Sequence, residues 1–374
     1  MRIAGVMRGS LAAIAVATVL AAIAAAMVFA ASAKAIGVTG ATLAGSTETT
    51  ALSGAAQTLT GTADSGAVSG DVPSQAEVDS AIAALKSGDA DIVELKAPRP
   101  DWFTPELEQQ VRENGMAPAP VDAPLPGQVG IRPGSMMISP FICTMNYIFQ
   151  KGDTVAIGTA GHCLEGNEPV VLLTVAPTGG NPVLVELGKV LLKRDAGIGR
   201  DYGLVEVPPE RRDWVFPTIA DIGGPCGIYS GGDPQPVAHY GHGLVGGFPG
   251  TPRAGMGFEL TDQQQQDLNS IVRIKGVDWD WDDDSIVWAG YLYGGDSGSP
   301  VRIAQLPAVS NLTHGIGVTG LEPSVVGWGT RVTTVTSSGW TLVNSPLCPP
   351  AGLAGDSGGD TGSGSGHGKG KGRK

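Results

Sequence analysis

From Met136 onward, short runs rich in Val, Ile, Leu and Thr alternate with breaks of Gly, Pro and Asp. Runs of this length and composition predict β-strands. We predict a first series of strands at 141–149, 154–159, 170–175, 183–192 and 202–207, and a second at 236–240, 257–260, 271–274, 286–293, 300–304 and 331–335. Two such series predict an all-β fold, either two β-barrels or a sandwich of similar size.

Two helices are predicted before the strand-rich region. Ser74 and Glu77 have the spacing of a capping box, and apolar residues follow on one helical face. A second helix is predicted to begin after Thr104 and to end before Gly115. Together with the Pro-rich run at 117–133, these helices predict either a pro-segment hinged to a larger domain or a poorly ordered spacer with nascent helices.

The N-terminal residues have the pattern of an export signal. Arg2 and Arg8 precede an uncharged stretch at 11–31, and small residues follow at 31–33. We therefore predict a signal peptide at 1–33 and secretion of the protein. A stretch of this length also fits an uncleaved membrane anchor at 11–31, which is the alternative prediction.

Changes in composition divide the rest of the chain into three parts. Residues 34–127 begin with Ala, Gly, Thr and Ser, which bury too little apolar surface to fold alone, and then include the two helices. We interpret them as a linker and pro-segment. Residues 128–349 are the predicted β-rich domain, and 350–374, rich in Gly, Ser, Asp and Lys, are predicted to be a disordered tail.

The overall composition excludes two classes of protein and disfavours a third. Hydrophobic residues make up 42% of the 374 residues and charged residues 16%, which excludes a wholly disordered chain. The 57 Gly and 27 Pro exclude an α-helical bundle, because they interrupt long helices. The net charge of −12 repels phosphate groups, and the dense basic run at 369–374 is confined to the tail, so we expect no nucleic-acid partner.

The cysteines indicate disulfides. Cys143, Cys163, Cys226 and Cys348 include no Cys-x-x-Cys pair. In an exported protein, an even number of such cysteines favours disulfides over a metal site. The residues alone leave three pairings open.

Two other clusters of polar residues were weighed as metal ligands. His239 and His242 are three residues apart in a Gly-rich region, but no cluster of Cys, Asp or Glu completes a site, so solvated loop histidines are favoured. The acidic run at 278–284 lacks the glycine and the spacing of an EF-hand loop, so an exposed charged strand or turn is favoured. We expect no bound metal.

Three separate motifs contain the residues of a nucleophilic catalytic site. The sequence Gly-Gly-Asp-Ser-Gly-Ser-Pro at 294–300 places Ser297 on a tight turn, where backbone N–H groups converge. His162 follows Gly-Thr-Ala-Gly, and Asp201 begins Asp-Tyr-Gly-Leu-Val. A serine hydroxyl is a weak nucleophile until a histidine accepts its proton. Asp195 and Asp153 are alternatives to Asp201, but neither precedes an apolar strand.

Together, these motifs resemble those of the chymotrypsin-like (trypsin-like) serine proteases, in particular bacterial secreted members such as the streptogrisins. Thr-Ala-Gly-His-Cys replaces the family's Thr-Ala-Ala-His-Cys, and Gly-Asp-Ser-Gly-Ser-Pro replaces Gly-Asp-Ser-Gly-Gly-Pro. The order His, Asp, Ser is that of chymotrypsin. The resemblance covers residues 135–345 and implies two six-stranded antiparallel β-barrels of the chymotrypsin type, preceded by a short, partly helical pro-segment.

The resemblance implies a secreted serine endopeptidase that is made as a zymogen. Ser297 would form the acyl-enzyme, with His162 as general base and acid and Asp201 orienting the imidazole. The backbone N–H groups of Gly295 and Ser297 would form the oxyanion hole. Tyr291, six residues before the nucleophile, would form the floor of the specificity pocket. Because Tyr291 carries no carboxylate, we expect cleavage after an apolar or small residue.

The resemblance also implies covalent links and partners. It implies a Cys143–Cys163 disulfide and, with it, Cys226–Cys348. The start of the domain lacks the family's Ile-Val-Gly-Gly terminus, so Asp296 is expected to pair with an internal basic group. We expect no cofactor, a protein or peptide substrate, a monomer, and membrane contact only if the signal is uncleaved. The alternative is a catalytically silent member of the same fold that serves as a cell-surface adhesin or binding module.

Overall fold

The computed structural model describes residues 72–349 except 167–168, 230–235, 244–251, 276–283, 304–305 and 318–322. The predicted signal peptide, the first part of the linker, the C-terminal tail and nearly all of the acidic run lie outside the described residues. In the described ranges, no helix has both the length and the apolar character needed to cross a membrane.

The first predicted helix forms as α1, Gln75–Ser87. The Ser74 hydroxyl accepts from the Glu77 N–H, and the Glu77 carboxylate accepts from the Ser74 N–H at 2.7 Å, so the predicted capping box is confirmed. Gly88 ends the helix at a φ of 88°, a conformation that glycine adopts without steric cost. Val78 and Leu85 are fully buried, which fixes one face of α1 against the body of the protein.

The second predicted helix forms as α2, Pro105–Asn114. The Thr104 hydroxyl accepts from the Leu107 N–H, and Gly115 ends the helix at a φ of 68°. Val111 is fully buried. Since both helices pack onto the body, the alternative of a poorly ordered spacer is wrong for the described part of this region.

The rest of the fold is mainly β-structure. The strands are β1 (Asp91–Glu94), β2 (Ala97–Pro98), β3 (Met116–Pro118), β4 (Met136–Ile138), β5 (Phe141–Thr144), β6 (Ile148–Lys151), β7 (Thr154–Thr159), β8 (Val171–Val175), β9 (Pro182–Glu186), β10 (Val190–Asp195), β11 (Asp201–Glu206), β12 (Pro236–Gly241), β13 (Arg253–Glu259), β14 (Ser285–Leu292), β15 (Pro300–Ile303), β16 (Ala308–Asn311), β17 (His314–Gly317), β18 (Ser324–Thr330) and β19 (Thr341–Leu342).

These strands form two halves. The first half has a six-stranded sheet in the order β2-β5-β4-β8-β9-β3 and a five-stranded sheet in the order β10-β11-β7-β6-β19. The second half is one eight-stranded sheet in the order β1-β17-β18-β14-β13-β12-β15-β16. The all-β, two-barrel architecture predicted from the sequence is confirmed. The strands are more numerous than six per half, because predicted long strands are interrupted and residues 91–118 add three more.

Each half has its own hydrophobic core, and a further cluster joins the halves. That cluster contains Tyr147 and Tyr202 from the first half and Tyr240 and Ala308 from the second. The Tyr147 hydroxyl also donates a hydrogen bond to the backbone carbonyl of Val301. This packing fixes the positions of the loops that meet between the halves.

Two predicted strands are helices in the structure. Residues 271–274 belong to α3, Asp262–Lys275, and 331–335 overlap α4, Val332–Ser337. In α3, Leu268 and Val272 are buried four residues apart, so they lie on one helical face. The β-branched residues suggested a strand locally, but packing on one face favoured the helix.

Both disulfides implied by the resemblance are present. Cys143–Cys163 links residues 20 apart, and Cys226–Cys348 links residues 122 apart. The first bond attaches β5 to the short 3₁₀ helix Gly161–Cys163, and the second attaches the region between the halves to the end of the described chain. The boundary between 127 and 128 stays a prediction as a processing boundary, but β1, β2 and β3 lie before it and join the sheets.

Candidate active site

His162 lies in the 3₁₀ helix that follows β7. The preceding Gly161 has no room for a side chain, because a Cβ there would lie 1.8 Å from the backbone oxygen of Arg194. Glycine therefore stands here in place of the family's alanine where the backbones of residues 161 and 194 lie close together. His162 itself is 2% exposed.

Asp201 is the first residue of β11 and is fully buried. Its Oδ2 lies 2.5 Å from His162 Nδ1, and its Oδ1 accepts from the His162 backbone N–H at 3.0 Å. Thr330 and Asn311 hold the Asp201 backbone from the second half: the Asp201 N–H donates to Thr330 Oγ1, and Asn311 Nδ2 donates to the Asp201 carbonyl, both at 3.0 Å. The orientation of the carboxylate therefore depends on both halves.

Ser297 lies on the turn before β15. Its Oγ is 2.8 Å from His162 Nε2 and 2.9 Å from the backbone oxygen of Thr313. Gly298, at a φ of 90°, passes so close to Thr144 that a Cβ would lie 2.0 Å from the Thr144 carbonyl. The three predicted residues are thus in hydrogen-bond contact, in the order aspartate, histidine, serine.

The protein's own chain occupies the predicted oxyanion hole. The carbonyl oxygen of Leu95 accepts from the Gly295 N–H at 2.6 Å and from the Ser297 N–H at 3.0 Å. The Leu95 N–H donates to the Thr313 carbonyl at 3.1 Å. No sequence signal singled out Leu95, because its position depends on pairing with residues far along the chain.

Comparisons with known proteins found matches among solved structures. No protein-family model and no curated protein matches the chain. A structure of Thermobifida fusca Protease A matches over 57% of this chain and 99% of its own, with 16% identity and a TM-score of 0.38. A glutamic acid specific serine protease matches over 57% and 100%, with 16% identity and a TM-score of 0.37. An HtrA-type protease, AlgW, solved with a decapeptide, matches over 53% and 50%, with 13% identity and a TM-score of 0.35.

The chain resembles the chymotrypsin-like serine proteases. The geometry already described unites the family's three sequence motifs between the two halves.

Asp296, next to the nucleophile, has the internal basic partner expected from the departure at the start of the domain. Arg253 Nη2 forms an ion pair with Asp296 Oδ2, and the Tyr293 N–H donates to the same carboxylate at 3.0 Å. Burial raises the pKa of Asp296, and Arg253 opposes that shift. The pair therefore holds the turn that carries Ser297 through an internal basic group.

Sequence reasoning missed His314, which lies beside the predicted triad. Its Nδ1 is 3.7 Å from Asp201 Oδ2, and its ring centroid is 5.7 Å from that of His162. Burial lowers the pKa of His314 to about 4, although Asp201 opposes the shift. Burial acts to raise the pKa of Asp201, but the charge and hydrogen bonds of His162 and the charge of His314 outweigh it, so that pKa lies below its ordinary value.

Tyr291 is not brought to the pocket predicted for it. Its hydroxyl donates to Glu77 of α1 at 2.8 Å, at an exposed position. The next residue, Leu292, instead shares a buried hydrophobic cluster with Leu95. Successive side chains of a strand point to opposite faces, so the assignment of Tyr291 as the floor is corrected.

The prediction of solvated histidines at 239 and 242 is wrong. Both side chains are fully buried, with His239 on β12 and His242 just after it. Burial lowers the pKa of His239 well below its ordinary value, and the Arg253 charge adds to this. Both faces of β12 are buried from Val237 onward, so two side chains three residues apart are both enclosed although they point to opposite faces.

One group of possible metal ligands is found among the described residues. Cys143, His162 and Cys163 have ligand atoms within 4.8 Å of one another. The two sulfur atoms form a disulfide, which leaves a single imidazole. This donor set does not fit a metal ion.

Proposed function

We propose that the protein is a secreted serine endopeptidase that hydrolyses peptide bonds through an acyl-enzyme on Ser297. The observation that carries the proposal is a peptide carbonyl, that of Leu95, bound by the N–H groups of Gly295 and Ser297 while Ser297 Oγ contacts His162. Secretion rests on the predicted signal at 1–33, and two disulfides are compatible with an oxidising compartment.

The proton path follows from the hydrogen bonds. Because Asp201 lies on the Nδ1 side, the neutral imidazole of His162 carries its proton there and leaves Nε2 free to accept the Ser297 proton. As Oγ attacks a carbonyl carbon, His162 becomes an imidazolium that Asp201 stabilises. His162 then returns the proton to the leaving amine, and water hydrolyses the acyl-enzyme by the same route.

Two backbone donors stabilise the transition state. The N–H groups of Gly295 and Ser297 point to the place where the carbonyl oxygen gains negative charge. A donor of this kind contributes about 3 kcal/mol to transition-state stabilisation. Gly295 reaches this geometry at a φ of 101°, which disfavours any residue with a Cβ.

The test is covalent labelling with an organofluorophosphonate, read by intact mass, together with hydrolysis of a peptide library. Once the cleft is open, we expect one adduct per chain, which Ser297→Ala abolishes while lowering kcat/KM by at least about 10⁴-fold. Ser299→Ala is the matched control, since it removes a serine two residues away for which the described structure shows no hydrogen bond to His162, and it should keep the adduct.

A second variant is needed because Leu95 fills the site. Leu95→Asp places a charge in an apolar pocket and should free the cleft for the label. If wild type and Leu95→Asp are both folded by circular dichroism yet show neither adduct nor hydrolysis, the proposal is overturned in favour of the silent binding module. An adduct in either form that is lost on Ser297→Ala supports it.

A further inference from the structure

Residues 91–98 run through the candidate active site as an extended chain. β1 pairs antiparallel with β17, with Val93 opposite Gly315 and Glu94 opposite His314. The hydrogen bond from the Leu95 N–H to the Thr313 carbonyl continues this pairing to the nucleophile. A strand added to a sheet edge is a common way to bind a peptide through its main chain.

We propose that the bond between Leu95 and Lys96 is the bond that this protein cleaves in its own chain, and that residues 72–95 remain in the cleft after cleavage as a product-like inhibitor. This inference rests on the proposed function. It locates the processing site within the segment 34–127, about 30 residues before the boundary at 127 and 128 predicted from composition.

The carbonyl group selects this bond among all those in the segment. Only the Leu95 oxygen accepts from the Gly295 and Ser297 N–H groups among the described residues. A strand that only covered the cleft would not need a carbonyl oxygen that accepts hydrogen bonds from both the Gly295 and the Ser297 N–H groups. The placement is the one that peptide hydrolysis requires, because those donors act on the oxygen of the bond that is cut.

The side chain before this bond has a fitted pocket. Leu95 is 1% exposed and lies in a cluster with Leu292 and Leu312. One wall is Gly315, where an added Cβ would lie 3.2 Å from Leu95 Cδ2. The pocket therefore suits an apolar residue of the size of leucine, in agreement with the expected cleavage after an apolar residue.

The chain on the other side of the bond is held as well. Ala97 pairs with Ile142 and Pro98 with Phe141 on β5. The Lys96 ammonium lies 4.0 Å from the centroid of the Phe141 ring and 2.7 Å from the Glu94 carboxylate. Both flanks of one bond are thus fixed against different sheets, with Ser297 between them.

Helices α1 and α2 also anchor the segments on either side of the Leu95–Lys96 bond. Helix α1 places Val78 and Leu85 in a cluster with Leu268 and Trp328 of the second half. Helix α2 places Val111 in a cluster of the first half. Because both anchors belong to the same chain as the nucleophile, the bond is presented at a high effective concentration, which favours cleavage within one molecule.

Hydrolysis of the Leu95–Lys96 bond proceeds in two stages, acylation of Ser297 and hydrolysis of the acyl-enzyme. Ser297 Oγ attacks the Leu95 carbonyl carbon, its proton passes to His162, and the bond to the Lys96 nitrogen breaks as His162 protonates that nitrogen. Water then adds to the acyl carbon, which releases Ser297 and leaves a carboxylate on Leu95 and an ammonium on Lys96. One peptide bond and one water are consumed.

The product segment would still block the site. With residues 91–95 in place, Ser297 is fully buried and His162 is nearly so, which leaves no access for another substrate. The contacts of β1 and α1 do not involve the bond that is cut, so cleavage alone does not remove them. Full activity therefore requires release of residues 72–95.

The experiment is N-terminal sequencing and intact-mass analysis of the purified full chain over time. We expect wild type to acquire a new N-terminus at Lys96, at a rate unchanged over a hundredfold range of protein concentration. Ser297→Ala should stay intact at this bond. Leu95→Asp should also stay intact there while its Ser297 labels with fluorophosphonate. Leu125→Asp, at a site 75% exposed, is the matched control and should be cleaved like wild type.

The possible failures can be told apart. A wild-type chain whose Ser297 labels but whose bond stays intact overturns this inference and leaves the proposed function standing. So does cleavage at 95 and 96 in Leu95→Asp at the wild-type rate, or in Ser297→Ala purified without added protease. If neither labelling nor cleavage occurs in folded wild type and folded Leu95→Asp, the proposed function fails as well.

Discussion

The segments on either side of the Leu95–Lys96 bond are alike in pattern and differ in what they contact. Each has a capped helix and short edge strands, with α1 and β1 before the bond and β2, α2 and β3 after it. The first adds a strand to the eight-stranded sheet and covers the site. The second adds strands to both edges of the six-stranded sheet. Two segments of similar secondary structure therefore have different roles. The first occupies the cleft, and the second is part of the body of the protein.

The largest difference should come from placing a charge on the buried face of each helix. In the full chain with Ser297→Ala, Val111→Asp should lower the free energy of unfolding by about 3–5 kcal/mol, because α2 packs into a core of the first half. Val78→Asp should raise hydrogen exchange in residues 72–95 and change global stability less. Thermal unfolding and hydrogen-exchange mass spectrometry measure the two effects.

If Val78→Asp lowers global stability as much as Val111→Asp does, the proposed difference between the two segments is contradicted. Both segments would then belong to one cooperative unit. The opposite result would show that the segment before the bond opens separately from the rest.

A smaller effect is expected from pH. His314 faces the cleft segment, since it pairs with Glu94, and burial holds its pKa at about 4. A histidine whose pKa is lowered by burial favours the closed state most fully above its ordinary pKa, near 6.5. The equilibrium constant that favours the closed position of residues 72–95 over the open one should therefore decrease, by up to about a hundredfold, as the pH falls from about 6.5 to 4.

Histidine NMR resonances measure this prediction. In the Ser297→Ala chain, the resonance assigned with His314→Gln should titrate near pH 4. With Val78→Asp added to loosen the segment, its pKa should move toward the ordinary value. An unchanged pKa in the loosened chain would mean that the body alone buries His314.

The smallest effect should come from the helix caps. Thr104→Ala removes the hydroxyl that caps α2 and should lower global stability by about 1 kcal/mol. Ser74→Ala removes half of the capping box of α1 and should increase opening of residues 72–95 by about fivefold, with little change in the global unfolding transition. Chemical unfolding and hydrogen exchange compare the two, and equal global losses would contradict the distinction.

The candidate site could be predicted from sequence where each feature lies within a few residues. The motifs around His162, Asp201 and Ser297 correctly indicated three side chains that come together. Both N-terminal helices began where their caps predicted, and the second ended before Gly115 as predicted. Prediction failed where the outcome depended on which face was buried. Tyr291 turns to α1, and residues 271–274 join a helix.

The sequence by itself determined the capped starts of α1 and α2, the β-rich character and the residues capable of nucleophilic chemistry, because these depend on backbone preferences and short spacings. Only the tertiary structure decided that the carbonyl of Leu95 lies on the N–H groups of Gly295 and Ser297. That contact joins residues about 200 positions apart, and it results from the antiparallel register between β1 and β17 together with the burial of α1. Register of this kind depends on which faces are buried, and that is decided only when the distant elements pack together.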